Sequence, residues 1–318
     1  MKLLPALVLT LALASACGGG DEDSDAAEPS TAEAAITPVE DVLVAQLTLA
    51  GDPDWLAADE HGVWVQRASG EITLIDPATS EEAGSVSVGP MDLCSGLGAS
   101  YGAIWTCVGS DVARIDPETF EVVAQLAVNK QAVQGHLVGG FDRVWVLTSD
   151  GSGLVGIDPA TNQVETEFEL PARCSDVSLG EDALWLPCRV DDRVLKVDPL
   201  SGEVLLDLAV DNPTFVAVDG DVWVGTSTAT KRLDPETGEV LVEAGAGADG
   251  GVALDGDSVW VRNLEEFLVR LDRETGERVQ EITATDLTSP GDLLVLEGEV
   301  WTTAYDDQLL FRIDGSAS

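Results

Sequence analysis

Histidine is scarce in this sequence, and only one of its two copies occupies a position that suggests chemistry. Imidazole is the side chain best suited to proton transfer near neutral pH, because its unperturbed pKa is about 6.5. His61 falls in the polar segment 59–62, which is typical of a solvated turn. His136 lies near the predicted start of an inner strand, nine residues before Trp145. Two histidines in 318 residues exclude a histidine-rich zinc site.

Three arginines follow strand tryptophans at similar short intervals. Arg67, Arg189 and Arg262 come three, four and two residues after their tryptophans. Guanidinium groups bind carboxylates and phosphates through paired hydrogen bonds, so three of them around one opening would favour an anionic ligand. The alternative is that each arginine pairs with the acidic residues that surround it in the sequence.

The charge balance excludes several classes of function. The chain has 58 Asp and Glu residues against 16 Lys and Arg, which gives a formal net charge of −42. A nucleic-acid-binding surface needs clustered Lys and Arg, so nucleic acid is not an expected partner. Attachment to anionic lipid through basic residues is disfavoured for the same reason. A densely negative surface also resists self-association, which favours a monomer.

These candidate residues belong to a unit that is repeated seven times. Seven of the eight tryptophans recur at intervals of 37 to 41 residues, each within a short apolar strand such as Val63-Trp64-Val65. An aspartate follows each of them after 11 to 13 residues, usually at the start of a turn sequence. The tryptophans are Trp64, Trp105, Trp145, Trp185, Trp223, Trp260 and Trp301. The aspartates are Asp76, Asp116, Asp158, Asp198, Asp234, Asp272 and Asp314.

The repeated unit predicts an all-β fold. Four strands in about 40 residues is the period of a β-propeller blade. Outside the N-terminal apolar run, no segment longer than ten residues has the 3.6-residue apolar period of a helix, so a helical solenoid is excluded. We therefore predict a seven-bladed β-propeller of four-stranded antiparallel blades over residues 41–318. The recurring tryptophans are expected to fill the gaps between adjacent blades.

The ends of the repeat array predict how the ring closes. The seventh unit has only three strands and stops near Asp314. Residues 41–49 form an unassigned strand before the first unit and have the pattern of a fourth strand. We expect this strand to pair with the third strand of blade seven, because that pairing removes the exposed edges of an open array.

The repeats resemble a known family. Residues 157–164 (Ile-Asp-Pro-Ala-Thr-Asn-Gln-Val) and 232–240 (Arg-Leu-Asp-Pro-Glu-Thr-Gly-Glu-Val) each follow a Val-Trp-Val strand. They resemble the YVTN-type propeller repeat and are similar to the virginiamycin B lyase-like group, over roughly residues 41 to 314. Lyase-like and lactonase-like propellers of this kind use His, Glu and a divalent metal at the channel mouth. If the protein is an enzyme, His136 and Asp176 would be its catalytic residues, and only His136 is placed to act as a general base near neutral pH.

Ligand-binding residues are expected on one face of the propeller. The starts of the first strands and the ends of the second strands share this face, around the mouth of the central channel. Three carboxylates there, Asp54, Asp176 and Asp292, have an alternative role as oxygen ligands of Ca²⁺, and no other cofactor is expected. The ligand-binding candidates are Asp54, Trp55, Arg67, His136, Asp176, Arg189 and Arg262.

Four cysteines follow the N-terminal Cys17 and predict a disulfide pattern. Cys94 and Cys174 each lie 11 residues before their tryptophan, and Cys107 and Cys188 lie two and three residues after it. These positions face each other in a hairpin, which favours Cys94–Cys107 and Cys174–Cys188 over the other pairings. Each bond would add about 3 kcal/mol of stability and would indicate an oxidising, exported setting. Four buried free thiols are the alternative.

The N-terminus has the features of an export signal. Lys2 precedes an apolar run, Leu3 to Ala14, that is too short to span a bilayer. Small residues and then Cys17 follow, in a pattern that resembles the lipobox of bacterial lipoproteins. We therefore predict a signal peptide at residues 1–16, a lipidated Cys17 and a flexible acidic tether through residue 40, which would anchor the protein to the outer face of the cell membrane. An ordinary cleaved signal is the alternative.

Two classes of function remain open. The first is a binding or scaffold module, with a protein segment or an anionic small molecule bound at the channel mouth. The second is a metal-assisted lyase or lactonase-like enzyme that uses the same mouth. A single histidine without a companion histidine favours the binding module.

Overall fold

Each predicted repeat forms one antiparallel blade in the computed structural model, which describes residues 34–89, 94–128 and 135–317. The seven blades are arranged in a ring, and the innermost strand of each blade contacts the innermost strands of its neighbours, including those of blades seven and one. The prediction of an all-β, seven-bladed propeller is confirmed.

The strands alternate in direction from the channel to the rim of the ring. The innermost strands are β3 (Pro53–Asp59), β7 (Leu97–Ser100), β11 (Val138–Gly140), β15 (Ser178–Leu179), β19 (Pro213–Asp219), β23 (Val252–Asp255) and β27 (Leu293–Leu296). The second strands are β4 (Gly62–Arg67), β8 (Ala103–Val108), β12 (Arg143–Leu147), β16 (Leu184–Cys188), β20 (Asp221–Thr226), β24 (Ser258–Arg262) and β28 (Glu299–Ala304).

The two outer positions of each blade complete the sheets. The third strands are β5 (Glu71–Asp76), β9 (Asp111–Asp116), β13 (Gly153–Asp158), β17 (Arg193–Val197), β21 (Thr230–Leu233), β25 (Leu268–Asp272) and β29 (Leu309–Asp314). The fourth strands are β6 (Glu81–Ser87), β10 (Glu121–Ala127), β14 (Gln163–Glu169), β18 (Val204–Ala209), β22 (Val240–Ala244), β26 (Arg278–Thr283) and β2 (Leu43–Thr48). Outside the sheets lie a short helix α1 (Val39–Val42) and a 3-10 turn (Arg189–Asp191).

The repeated aspartates end the third strands in similar turns, which we call Asp turns. In blade five, Asp234 Oδ1 accepts hydrogen bonds from the backbone N–H groups of Glu236 and Thr237, at 3.0 and 2.7 Å. Gly238 then adopts a φ of +73°, which glycine tolerates without strain. Backbone N–H donors stabilise the ionised carboxylate, so the pKa of Asp234 lies below its ordinary value. These turns define one face of the ring, the Asp-turn face.

The repeated tryptophans fill the interfaces between blades, as predicted. All seven have at most 1% of their surface exposed. Trp105 of blade two packs with Val144 and Val146 of blade three. Trp301 of blade seven packs in the same way with Val63 and Val65 of blade one. The same contact therefore occurs between the last blade and the first, and the ring is closed.

Basic residues reinforce these interfaces. The guanidinium of Arg312 on β29 lies 5.3 Å from the ring centroid of Trp301, and Nη1 donates to Ser80 Oγ in the Asp turn of blade one at 2.7 Å. Four other cations make the corresponding hydrogen bond to the Asp turn of the next blade: Arg114, Lys196, Arg232 and Arg270. These five basic residues therefore connect adjacent blades.

The N-terminal strand closes blade seven, as the sequence predicts. β2 pairs antiparallel with β29, from Leu43 opposite Ile313 to Thr48 opposite Leu309. Val42 is buried in the same cluster as Ile313, which fixes the start of this strand. The predicted strand over residues 41–49 is slightly shorter in the structure because α1 includes residues 41 and 42.

The predicted tether ends earlier than expected. β1 (Ala35–Pro38) pairs in parallel with β26 and gives blade six a fifth strand, so these four residues of the predicted tether belong to the propeller. Backbone hydrogen bonds hold β1, whereas its Ile36 is 70% exposed, so the strand leaves no apolar pattern in the sequence. The predictions for the signal peptide, for Cys17 and for the tether up to residue 33 lie outside the described residues.

Two disulfide bonds connect the segment before the innermost strand to the second strand, one in blade two and one in blade four. They are Cys94–Cys107 and Cys174–Cys188, the pairings that the sequence favoured. Such bonds persist in oxidising compartments, so they indicate an extracytoplasmic setting. Among residues 34–89, 94–128 and 135–317, no helix has the length and hydrophobicity needed to cross a bilayer.

Candidate functional site

Charged side chains from three blades meet where the inner strands begin. His136 precedes β11 in blade three, Asp176 precedes β15 in blade four and Asp292 precedes β27 in blade seven. Blade seven lies across the ring from blades three and four, so these side chains meet over the channel. We call this side of the ring, opposite the Asp-turn face, the mouth face. The sequence analysis predicted that all three residues lie at this face.

His136 bridges the two aspartates, and we call this group the His136 clamp. Its Nδ1 lies 3.0 Å from Asp176 Oδ2, and its Nε2 lies 3.2 Å from Asp292 Oδ2. The backbone N–H of His136 also donates to Asp176 Oδ1 at 2.7 Å. Both carboxylates are buried, whereas 27% of the imidazole side chain is exposed. The clamp ties together blades that share no strand pairing.

The clamp geometry favours a charged imidazole. Each ring nitrogen lies within hydrogen-bonding distance of a carboxylate oxygen, and only the imidazolium can donate a hydrogen bond from both nitrogens. Burial alone would lower the pKa of His136, but the negative charges of Asp176 and Asp292 outweigh it and hold this pKa well above 6.5. His136 is therefore a cation at neutral pH and has no free lone pair with which to accept a proton.

A second hydrogen-bonded chain surrounds the clamp. Trp55 Nε1 donates to Ser95 Oγ at 2.5 Å, and Ser95 Oγ donates to Asp54 Oδ2 at 2.8 Å. The indole of Trp55 meets the imidazole of His136 edge to face, with ring centroids 4.9 Å apart. Burial raises the pKa of Asp54 to about 6; the Ser95 hydrogen bond opposes this rise, Asp292 adds to it, and His136 opposes it. Asp54 therefore titrates close to neutrality.

A pocket of about 290 Å³ lies beside the clamp, and we call it the mouth pocket. Trp55, Phe215 and Tyr305 form its aromatic surface, and the ring centroids of Trp55 and Phe215 lie 6.3 Å apart with a tilt of 54°. Among the residues that the structure describes, no Lys or Arg lines this pocket. Its carboxylates are Asp54, Asp249, Asp292 and Asp306.

The structure brings together four of the predicted ligand-binding residues, Asp54, Trp55, His136 and Asp176, and leaves the arginines elsewhere. Arg67 is buried and forms ion pairs with Glu71 and Glu82 of its own blade. Arg189 lies in an exposed 3-10 turn, where its Nε donates to Asn212 Oδ1 at 2.7 Å. Acceptor groups close to Arg67 and Arg189 therefore hold both side chains away from the His136 clamp.

Arg262 lies behind the wall of the mouth pocket. It has no exposed surface and donates to the backbone carbonyls of Asn263, Phe267 and Ser289. Burial lowers its pKa to about 10, although Asp307 and Asp249 oppose the shift. The expected convergence of three arginines on one opening is therefore wrong. The acidic lining of the pocket also removes the argument for an anionic ligand.

The alternative calcium site does not fit the geometry. Asp176 and Asp292 direct their carboxylates at His136, whose positive charge takes the place that a cation would occupy. Within the described ranges, no group of three or more His, Cys, Asp or Glu residues is arranged to hold a metal ion.

Sequence reasoning missed two aromatic residues of the pocket, Phe215 and Tyr305. Phe215 directly follows Thr214, which occupies the position that Asp54 has in blade one. Tyr305 comes four residues after Trp301, which is the same spacing as that between Trp185 and Arg189. The rule that placed the arginines at the mouth would therefore have found Tyr305 if it had been applied to aromatic residues.

Solved structures with the same fold include a lyase and propeller domains of other proteins. A streptogramin B lyase structure has a TM-score of 0.69 at 16% identity, over 84% of this chain and 94% of that one. The Neurospora crassa Pan2 WD40 domain has a TM-score of 0.69 at 10% identity, over 85% of this chain and 90% of that one. The Myceliophteria thermophila Cps50 (Swd1) β-propeller domain has a TM-score of 0.69 at 10% identity, over 86% of this chain and 99% of that one. These similarities show the fold alone.

Sequence comparison adds no closer relationship. No family model and no curated protein matches this chain. The resemblance to YVTN-type and virginiamycin B lyase-like repeats therefore stays a prediction, while the β-propeller architecture that it implied is confirmed by the fold.

Proposed function

We propose that this protein is an extracytoplasmic binding module whose ligand occupies the mouth pocket. The observation that carries the proposal is a pocket of about 290 Å³ with aromatic walls, at the propeller axis, beside a charged clamp that ties blades three, four and seven together. Pockets that combine apolar surface with a few polar groups are the usual binding sites of proteins. The clamp would hold these walls in place, which lowers the entropic cost of binding.

The state of His136 favours binding over catalysis. A general base needs an unprotonated nitrogen within reach of its substrate. Both nitrogens of His136 face buried carboxylates, and its raised pKa keeps it protonated at neutral pH. In this proposal His136 supports the pocket and does not transfer protons.

Photo-crosslinking in intact cells tests the binding role and does not require the ligand to be identified first. Benzoylphenylalanine replaces Tyr305 in the pocket, or Glu236 on the Asp-turn face as the matched control. We expect adducts at position 305, detected by mass spectrometry of the full-length protein, and none at position 236. Equal labelling at both positions, or none at either, would contradict the proposal.

An enzyme is the second candidate. The streptogramin B lyase similarity and the near-neutral pKa of Asp54, about 6, favour it. The test is to incubate the protein with streptogramin B and Mg²⁺, with a chelator control. The binding module predicts no turnover above that of a His136→Ala, Asp176→Ala double variant. Turnover that requires Mg²⁺ and both residues would establish the enzyme instead.

The proposal includes a lipid anchor at Cys17. The apolar run Leu3 to Ala14 and the small residues before Cys17 support it. β1 runs parallel to β26, which begins after an Asp turn, so β1 begins on the Asp-turn face, opposite the mouth face. Labelling with radioactive palmitate should mark the native protein and not a Cys17→Ser variant. Label that persists in the variant would exclude lipidation at this residue.

A further inference from the structure

The aromatic surface of the mouth pocket is well suited to positive charge. Trp55, Phe215 and Tyr305 bring three rings from blades one, five and seven to one cavity. The indole N–H, which is the single polar hydrogen of the Trp55 side chain, is already donated to Ser95, so the side chain offers its ring to a ligand. Aromatic faces attract cations because their π electrons carry partial negative charge, and the attraction is strongest for Trp.

The charge of the pocket points in the same direction. Asp54, Asp249, Asp292 and Asp306 line it, and no Lys or Arg of the described ranges does. The cations nearby already have partners, since His136 lies between two aspartates and Arg262 binds backbone carbonyls. An anion in this pocket would be repelled by carboxylates, and these two cations would not be free to bind it.

Two of these carboxylates retain capacity to bind a ligand. Among the described residues, the carboxylate of Asp54 accepts a hydrogen bond only from Ser95, through Oδ2. The Asp306 carboxylate accepts none there, and only its backbone N–H is engaged, with Ser289. These oxygens and the aromatic rings belong to the same cavity, so a ligand with a charged head and an apolar body can use both.

We infer that the mouth pocket binds the ammonium group of an organic cation. This inference deepens the proposed binding function and depends on it. An alkylammonium matches aromatic walls with carboxylates at their edge, whereas a metal ion needs several oxygens converging at about 2.0 to 2.6 Å. The ammonium belongs either to a free small amine or to a lysine side chain of a protein segment.

The protonation of Asp54 supports this inference. Burial raises its pKa to about 6, with Asp292 adding to the rise and the Ser95 hydrogen bond and the charge of His136 opposing it. Above that pH Asp54 is ionised and attracts a cation; below it, the attraction is lost while His136 stays positive. Affinity should therefore fall as the pH decreases through 6.

Calorimetric titration of the full-length protein at pH 7.5 tests the inference. The probes are choline and its uncharged isostere 3,3-dimethyl-1-butanol. A second pair is acetyl-lysine-N-methylamide and acetyl-norleucine-N-methylamide. We expect the charged member of at least one pair to bind at least tenfold more tightly than its uncharged partner. Preference for choline identifies a free amine as the source, and preference for the lysine compound identifies a protein side chain.

Variants connect the binding to the pocket. Asp54→Asn and Tyr305→Leu should each weaken the preferred cation at least threefold. Asp255→Asn, which removes an exposed charge at the opposite end of the inner strands of blade six, should leave it unchanged. Circular dichroism confirms folding in each case.

Two outcomes would overturn the inference. Equal affinity for charged and uncharged partners would show an apolar pocket without cation preference and would leave the proposed binding function in place. Absence of binding by both charged probes would also overturn it. In that case the photo-crosslinking at position 305 decides separately whether the pocket binds another ligand.

Discussion

The two histidines of this chain show how environment decides what one residue type does. His61 lies in a turn and contacts Asp59, from its own strand end. His136 contacts Asp176 and Asp292, which lie 40 and 156 residues away in sequence. Its role is therefore fixed by the ring, which brings distant strand ends together. The sequence identified His136 as the residue most able to act as a base, and the structure makes it a structural cation.

Removal of the clamp cation should destabilise the fold. His136→Gln leaves Asp176 and Asp292 near each other without a positive charge, and we expect a loss of about 3 kcal/mol in the free energy of unfolding at pH 6. Denaturant titration measures this loss. His61→Gln is the matched control and should change stability by less than ~1 kcal/mol. Equal effects of the two substitutions would contradict the clamp.

The clamp also predicts a pH dependence with a defined sign. The pKa of His136 is raised on folding, so its stabilisation is complete below about pH 6.5 and is lost as the pH rises through the folded value. The difference in stability between wild type and His136→Gln should therefore be largest below pH 6.5 and should shrink as the pH rises well above that value. A difference that grows with pH would contradict this assignment.

Asp54 should have the opposite effect on stability. Its folded pKa of about 6 lies above the ordinary 3.8, so ionisation destabilises the fold as the pH rises from 4 to 6. Asp54→Asn should therefore melt at a higher temperature than wild type at pH 7, with a gain of roughly 1 to 3 kcal/mol. Below pH 4 the two proteins should melt at similar temperatures. Calorimetry measures both, and a destabilised variant at pH 7 would be the contrary result.

At the scale of elements, the recurring Trp strand and Asp turn account for most of what the sequence could predict. The indole fills a blade interface and the carboxylate caps a turn. Each blade therefore carries one such pair, and the number of pairs gives the number of blades. The shared position of His136, Asp176 and Asp292 also followed, because strand starts lie on one face of the ring. The role of these residues in ligand binding stays a prediction.

Other elements could not be predicted in this way. β1 is held by backbone hydrogen bonds to β26, and its exposed side chains leave no period in the sequence. The arginines lie near the expected strand ends. Their long side chains, however, donate to acceptors that only the folded chain brings near, such as Ser289 O for Arg262. Partner choice among so many acids depends on distances that spacing alone does not contain.

The pairing of β2 with β29 in blade seven can be tested by hydrogen exchange. Because β2 covers β29, the amides of Leu309–Asp314 that face β2 should exchange with deuterium as slowly as those of the equivalent strand β25. Hydrogen exchange followed by mass spectrometry measures both segments. Fast exchange in β29 alone would show that blade seven is open.

For the molecule as a whole, the net charge of −42 dominates long-range electrostatics. Like charges repel most strongly in the compact state, and salt screens this repulsion over about 10 Å at 0.1 M. We expect the melting temperature to rise by several degrees between 10 mM and 500 mM NaCl. A falling melting temperature would mean that ion pairs such as those of the clamp outweigh the overall repulsion.

The charged imidazole that clamps the ring at its mouth is the feature on which the proposed binding function most depends. Nitrogen-15 NMR of the imidazoles measures this directly, and His61→Gln assigns the remaining signal to His136. We predict that both nitrogens of His136 remain protonated at pH 7.5. Titration of His136 with an ordinary midpoint near pH 6.5 would contradict the claim and would return His136 to the role of a general base.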